Sequence, residues 1–135
     1  MKFDLNDFRV DEKKQVAGVW IDFGGGASFK LASLENPIFI QAFQRKNKSY
    51  TEVQRDNLEE KEQENILLPL MARHVILDWK GVYDGDVEIK YSYEKALEVL
   101  REIKWVRDKV LAESRKIANF RADRKEKTTK NLPRA

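Results

Sequence analysis

Cysteine is absent from the 135 residues, and histidine occurs once. The first absence removes disulfide frameworks and thiolate zinc sites, and the second leaves His74 without the companion ligands of a histidine-based metal centre. Neither sign of charge dominates: 26 Lys and Arg face 23 Asp and Glu, and a net charge of +3 does not by itself imply a polyanionic partner. No run approaches the roughly 18 apolar residues needed to span a membrane. The opening "MKFDLNDFRVDEKK" lacks the apolar core of a secretory signal. A soluble, intracellular protein is expected, with no membrane partner.

The 41% of hydrophobic residues suits one domain with one core. In "QVAGVWIDFGGGASFKLASL", Val19, Ile21 and Phe23 alternate with Trp20 and Asp22, while Phe29 and Leu31 alternate with Lys30 and Ala32. That is the period of half-buried strands, and the intervening glycines tolerate the positive φ of a hairpin turn. A phosphate-binding loop would need Lys-Ser or Lys-Thr opening a helix, whereas "ASFKLAS" follows here. The period changes at "ENPIFIQAFQRKNKSY", where Asn36 can cap and Pro37 can occupy the first position of an amphipathic helix reaching about Lys46. Its aromatic and basic residues read as one apolar and one basic face.

From Thr51 to Glu64 the run is acidic and helix-prone; it leads into "NILLPLMARHVILDW", apolar nearly all round at helical spacing. This predicts a central helix ending at Trp79, kinked or restarted at Pro69, with Lys80 and Gly81 as its stop. On such a helix His74 and Asp78 are i and i+4 neighbours, which allows one hydrogen bond. No serine in a nucleophile setting and no further metal ligand accompanies them, so no catalytic residue, metal or cofactor is assigned. Asp84-Gly85 signals a tight turn, Ser92 caps "YEKALEVLREI", and a break near Lys104 divides two helices because Arg107 interrupts the apolar stripe. Between Arg101 and the end, twelve bases face five acids. The expected fold is α+β and mainly α-helical. An N-terminal β-hairpin from about Gln15 to Leu34 packs on a small helical bundle within a single domain, 1–121, followed by a disordered basic tail, 122–135.

The succession "GVWIDFGGGASFKLASLENPIFIQAF", "ARHVILDWKGVYDGD", "IKYSYEKALEVL" and "IANFRADRKEKTTKN" resembles the tail assembly chaperones of long-tailed bacteriophages, similar in role to the chaperone of phage lambda. The likeness runs from about Gly18 to Asn131. It rests on the strand pair, on Asn36-Pro37, on Asp78, Trp79, Gly81 and Val82, and on Tyr91, Ser92, Glu94, Ala96, Leu97 and Leu100. It implies a non-enzymatic protein of the host cytoplasm. Such a protein binds the tape measure protein, keeps it soluble and helps recruit tail tube subunits. Phe39, Phe43, Trp79, Tyr83, Trp105 and Phe120 are the candidate partner-contacting side chains.

The residues are compatible with that role on their own terms. A helical protein can cover the apolar stripes of a long client helix, and separated acidic and basic segments permit head-to-tail self-association. Another virion or tail-associated structural protein is the alternative. Nucleic-acid binding through Arg101 to Arg134 is disfavoured, since acids are mixed among the bases and only Trp105 and Phe120 could stack.

Overall fold

A computed structural model of the chain describes residues 2–48, 50–51, 53–54 and 60–123. The elements run α1 (Glu12–Ala17), β1 (Val19–Gly24), β2 (Ala27–Leu31), α2 (Pro37–Lys48), α3 (Glu60–His74), β3 (Ile76–Lys80), β4 (Tyr83–Asp84), β5 (Val87–Glu88), α4 (Tyr93–Glu102) and α5 (Lys104–Arg115). Single 3₁₀ turns, Leu5–Asp7 and Ile117–Phe120, flank this series. The fold is α+β and mainly helical, with a small antiparallel sheet near the N-terminus. The acidic run expected to be helical from Thr51 lies partly outside the described residues, and so does the tail from Arg124 onward.

The strand period at Val19 to Leu31 forms as expected, with Ile21 opposite Phe29 and Val19 opposite Leu31. The helix expected to end at Trp79 does not: α3 stops at His74, Val75 makes the turn, and Ile76–Lys80 is a strand. That strand pairs antiparallel with β2 and turns the hairpin into a three-stranded sheet of order β1-β2-β3. Ile21, Phe29 and Trp79 then share one face of the sheet, and Trp20, Lys30 and Asp78 share the other. The first face covers the core with Phe29 and Trp79 buried; on the second, Trp20 is exposed beneath Lys80, whose Nζ lies 4.4 Å from the ring centroid.

The helices fill in from the other side. Asn36 caps α2 as its side chain predicts: Oδ1 accepts from the Phe39 amide at 2.8 Å, while Nδ2 donates to the Ser33 carbonyl at 2.7 Å. Both bonds are needed, because Asn36 is buried. Helix α3 continues through Pro69 without a break and brings Leu68, Met71, Ala72 and Val75 into the core. Ser92 caps α4 by accepting from the Lys95 amide at 3.1 Å, and Ala96 and Leu100 enter the same core one turn apart. Helix α4 ends at Glu102, and α5 begins at Lys104 after an extended Ile103, which places the break beside Lys104 as expected. Arg107 closes that break: its Nη1 donates to the Leu100 carbonyl at 3.2 Å, satisfying an oxygen that the end of α4 leaves open.

The first dozen residues are tied to the segment that follows α5. Val10 bridges to Arg121, the Asp11 amide donates to the Phe120 carbonyl at 2.8 Å, and the Ala122 amide donates to the Arg9 carbonyl at 2.9 Å. Beside this junction the buried Glu113 carboxylate accepts from Lys116 Nζ at 2.7 Å and Asn119 Nδ2 at 3.1 Å. The Lys116 bond, opposed by burial and helped by Asn119, holds its pKa below the ordinary carboxylate value.

Candidate docking groove

A bulge and a close glycine contact shape the end of the sheet where an open groove forms. Phe23 is the extra residue on β1, between the Asp22–Ser28 and Gly24–Ala27 pairs, and its ring stacks on Phe29 with centroids 4.2 Å apart. Just beyond, the Gly25-Gly26 turn meets Gly81 at the end of β3; Gly81 has φ 71, and a Cβ there would lie 2.4 Å from the Gly26 carbonyl oxygen. Only glycine permits this approach, and it leads the chain directly into the β4–β5 hairpin, whose Asp84-Gly85 turn forms as the sequence predicts.

Between that hairpin, the end of the sheet and the α4–α5 junction lies a groove of about 560 Å³. Phe23, Val82, Ile89, Val99 and Val106 give it an apolar lining, and Tyr83, Ile103 and Trp105 stand at its edges. Those three side chains are 58%, 46% and 59% exposed, so a large aromatic and aliphatic surface faces water together. Trp105 meets Phe23 edge-on at 6.3 Å, and Lys109 Nζ approaches both rings, at 5.6 Å from Phe23 and 6.0 Å from Trp105. The charged lining residues Asp84, Lys95, Glu98 and Glu102 are all exposed. Among the described residues the one buried side-chain polar atom without a hydrogen-bond partner is Arg121 Nε, which is not part of the lining. The groove thus offers apolar area and charged rims rather than the few convergent buried polar groups that orient a small ligand.

Of the six aromatic residues expected to contact a partner, Tyr83 and Trp105 converge on this groove. Phe39, Trp79 and Phe120 are instead core residues, 7%, 5% and 2% exposed, and Phe43 is partly buried against the core with Phe39. Trp79 acts beneath the groove rather than in it: its indole Nε1 donates to the Ile89 carbonyl at 2.7 Å, and its ring packs on Phe29 and Tyr91. Ile103, Val82 and Val99 were missed as site residues. The helix break near Lys104 was the available signal for Ile103, since a residue at a junction leaves the apolar stripe of both helices.

The expected His74–Asp78 pair does not form. His74 ends α3 while Asp78 lies within β3, where its carboxylate accepts from the adjacent Trp79 amide at 2.8 Å. Burial first, then the nearby Arg73 and Arg45 guanidiniums, hold the His74 pKa below its ordinary value. The unfolded chain therefore takes up this proton before the folded one, and stability falls as pH drops below about 6.5. His74→Gln is expected to cost at most about 1 kcal/mol at pH 7.5 and to lose less stability than the unmodified protein between pH 7.5 and 5.5. Urea unfolding at the two pH values measures this, and a variant with the same pH dependence as the parent would refute it. Among the described residues no group of three or more His, Asp or Glu side chains could hold a metal ion. Among them, too, no helix is long and apolar enough to cross a membrane.

The fold and groove together define a small α+β protein with an exposed, largely apolar groove. Residues 34–131 match the family described as YdaY prophage protein, and the chain belongs to that family. It is a phage-derived protein. No curated protein and no solved structure matches the chain.

Proposed function

We propose that this protein is a non-enzymatic assembly factor of phage morphogenesis, a tail assembly chaperone that binds the tape measure protein before the tail tube polymerises and helps recruit tube subunits. The observation that carries the reading is the groove edged by Tyr83, Ile103 and Trp105, an apolar surface of the kind that receives one face of an amphipathic helix. A tape measure protein is a long helical client whose apolar stripes aggregate when bare, and membership of a prophage family supplies the setting in which such a client is made.

Co-expression with a tape measure fragment encoded beside this gene tests the proposal. The fragment should become soluble and co-purify, with retention changing little between 50 and 200 mM salt, because apolar contacts are weakly screened. A contact that neutralises about six phosphates would instead weaken roughly a thousandfold over that range. Trp105→Ala combined with Tyr83→Ala should reduce retention by about 10- to 100-fold, the scale of aromatic hot spots, while leaving the unfolding midpoint nearly unchanged. A fragment equally soluble without this protein, or retained equally by the double variant, would overturn the proposal. Tight duplex DNA binding with a steep salt slope, in place of fragment binding, would replace it with the nucleic-acid reading.

A further inference from the structure

The groove is apolar at its base and acidic at two separate places on its rim. Asp84 stands on the β4–β5 side and Glu102 at the end of α4, and neither has an ion-pair partner among the described residues. The lysines nearest the rim are already engaged. Lys95 Nζ is 3.3 Å from Glu98, Lys104 Nζ is 2.6 Å from Asp108, and Lys109 Nζ is 3.6 Å from Glu113. A bound segment therefore meets unneutralised carboxylates on two sides of an apolar base.

We infer that the groove selects an amphipathic helix of another protein whose apolar stripe is bordered by Lys or Arg. The inference rests on the reading of the groove as a protein-docking site, and it adds the chemistry of the partner. Burial of the stripe against Val82, Val99 and Trp105 provides the attraction, and the carboxylates discriminate between cationic and anionic borders. The chain's own segment 124–135 is basic, but it carries a single large apolar side chain, Leu132. It matches the rim and not the base. Its attachment point at Asp123 lies beside Lys14.

The test uses the full chain and three synthetic peptides. Two are helices of the same Leu and Ala stripe, one bordered by Lys and one by Glu; the third is the chain's own segment 124–135. Binding is measured by fluorescence anisotropy at 50 mM salt. The Lys-bordered helix should bind about tenfold more tightly than the Glu-bordered one, since each of two exposed charge contacts contributes a few-fold. Asp84→Asn with Glu102→Gln should erase most of that preference, and Trp105→Ala should weaken both helices. The two carboxylates are exposed, so circular dichroism melting should show the amide variants folded.

Equal binding of the two helices, a preference that persists in the amide variant, or failure of both helices to bind would each overturn the inference. So would displacement of the Lys-bordered helix by segment 124–135 at comparable concentration, which would assign the groove to the protein's own terminus. Tape measure retention without peptide discrimination would sink this inference and leave the chaperone proposal standing. Discrimination without retention would do the reverse.

Discussion

Gly81→Ala is expected to destabilise the protein by roughly 2–4 kcal/mol, far more than Gly85→Ala, although both glycines have positive φ. At Gly85 an added Cβ meets nothing within 4 Å, and the cost is that of a left-handed backbone alone, about 1–2 kcal/mol. At Gly81 the methyl would also lie 2.4 Å from the Gly26 carbonyl oxygen and 3.2 Å from the Ala27 Cα. Those contacts are backbone, so relief requires moving the tip of the β1–β2 hairpin away from the end of β3. That movement opens one wall of the groove, and the Gly81 variant should bind a Lys-bordered helix weakly even at temperatures where it remains folded. Urea unfolding of the two variants side by side decides the point, and equal losses would refute a steric cost at Gly81.

Trp79→Ala should cost about 3–5 kcal/mol, the scale of removing a large aromatic side chain from a packed core. The indole is 5% exposed, contacts Phe29 and Tyr91, and satisfies the Ile89 carbonyl. Trp79→Phe separates the two contributions. It keeps an apolar ring but strands the Ile89 oxygen and leaves a smaller void, for an expected loss of about 1–3 kcal/mol. Because Ile89 lines the groove, the phenylalanine variant should also bind a client helix less well than its stability predicts. A Trp79→Ala loss below about 1 kcal/mol would contradict the burial of this residue.

The points at which sequence and structure agree share a cause. Asn36, Ser92, Asp84-Gly85 and the alternation from Val19 to Leu31 are local signals, each settled by a few neighbouring residues, and each forms as read. Strand β3 was misread for a reason visible in its pairing. Lys30 faces Asp78 while Leu31 faces Ile76, so Leu77 is an extra residue bulging from the ladder. The bulge leaves Ile76 and Trp79 as the buried residues, three positions apart, which is helical spacing rather than strand alternation. Preceded by an apolar helix and carrying Leu77 between them, they extend its pattern without a seam. The groove itself was not legible: Tyr83 and Trp105 stood among six aromatic candidates, and only the fold shows that these two stand at the edges of one depression. Phe39, Trp79 and Phe120 look the same in sequence and are taken by the core, because nothing local distinguishes an aromatic that faces inward from one that does not.

The pairing of β2 with β3 also constrains the order in which the molecule can assemble. Phe29 and Trp79 face each other across 50 positions of chain, whereas β1 and β2 are joined by a two-residue turn. The hairpin can close in microseconds, but the third strand must wait until the intervening helices have brought it back, a search whose entropy grows with the loop it closes. On a ribosome the hairpin emerges first and stands with the inner edge of β2 unpaired until β3 has been synthesised. The junction of Val10 with Arg121 comes later still. During that interval the nascent chain presents a bare strand edge of its own, the kind of edge that pairs with other chains while it stays open.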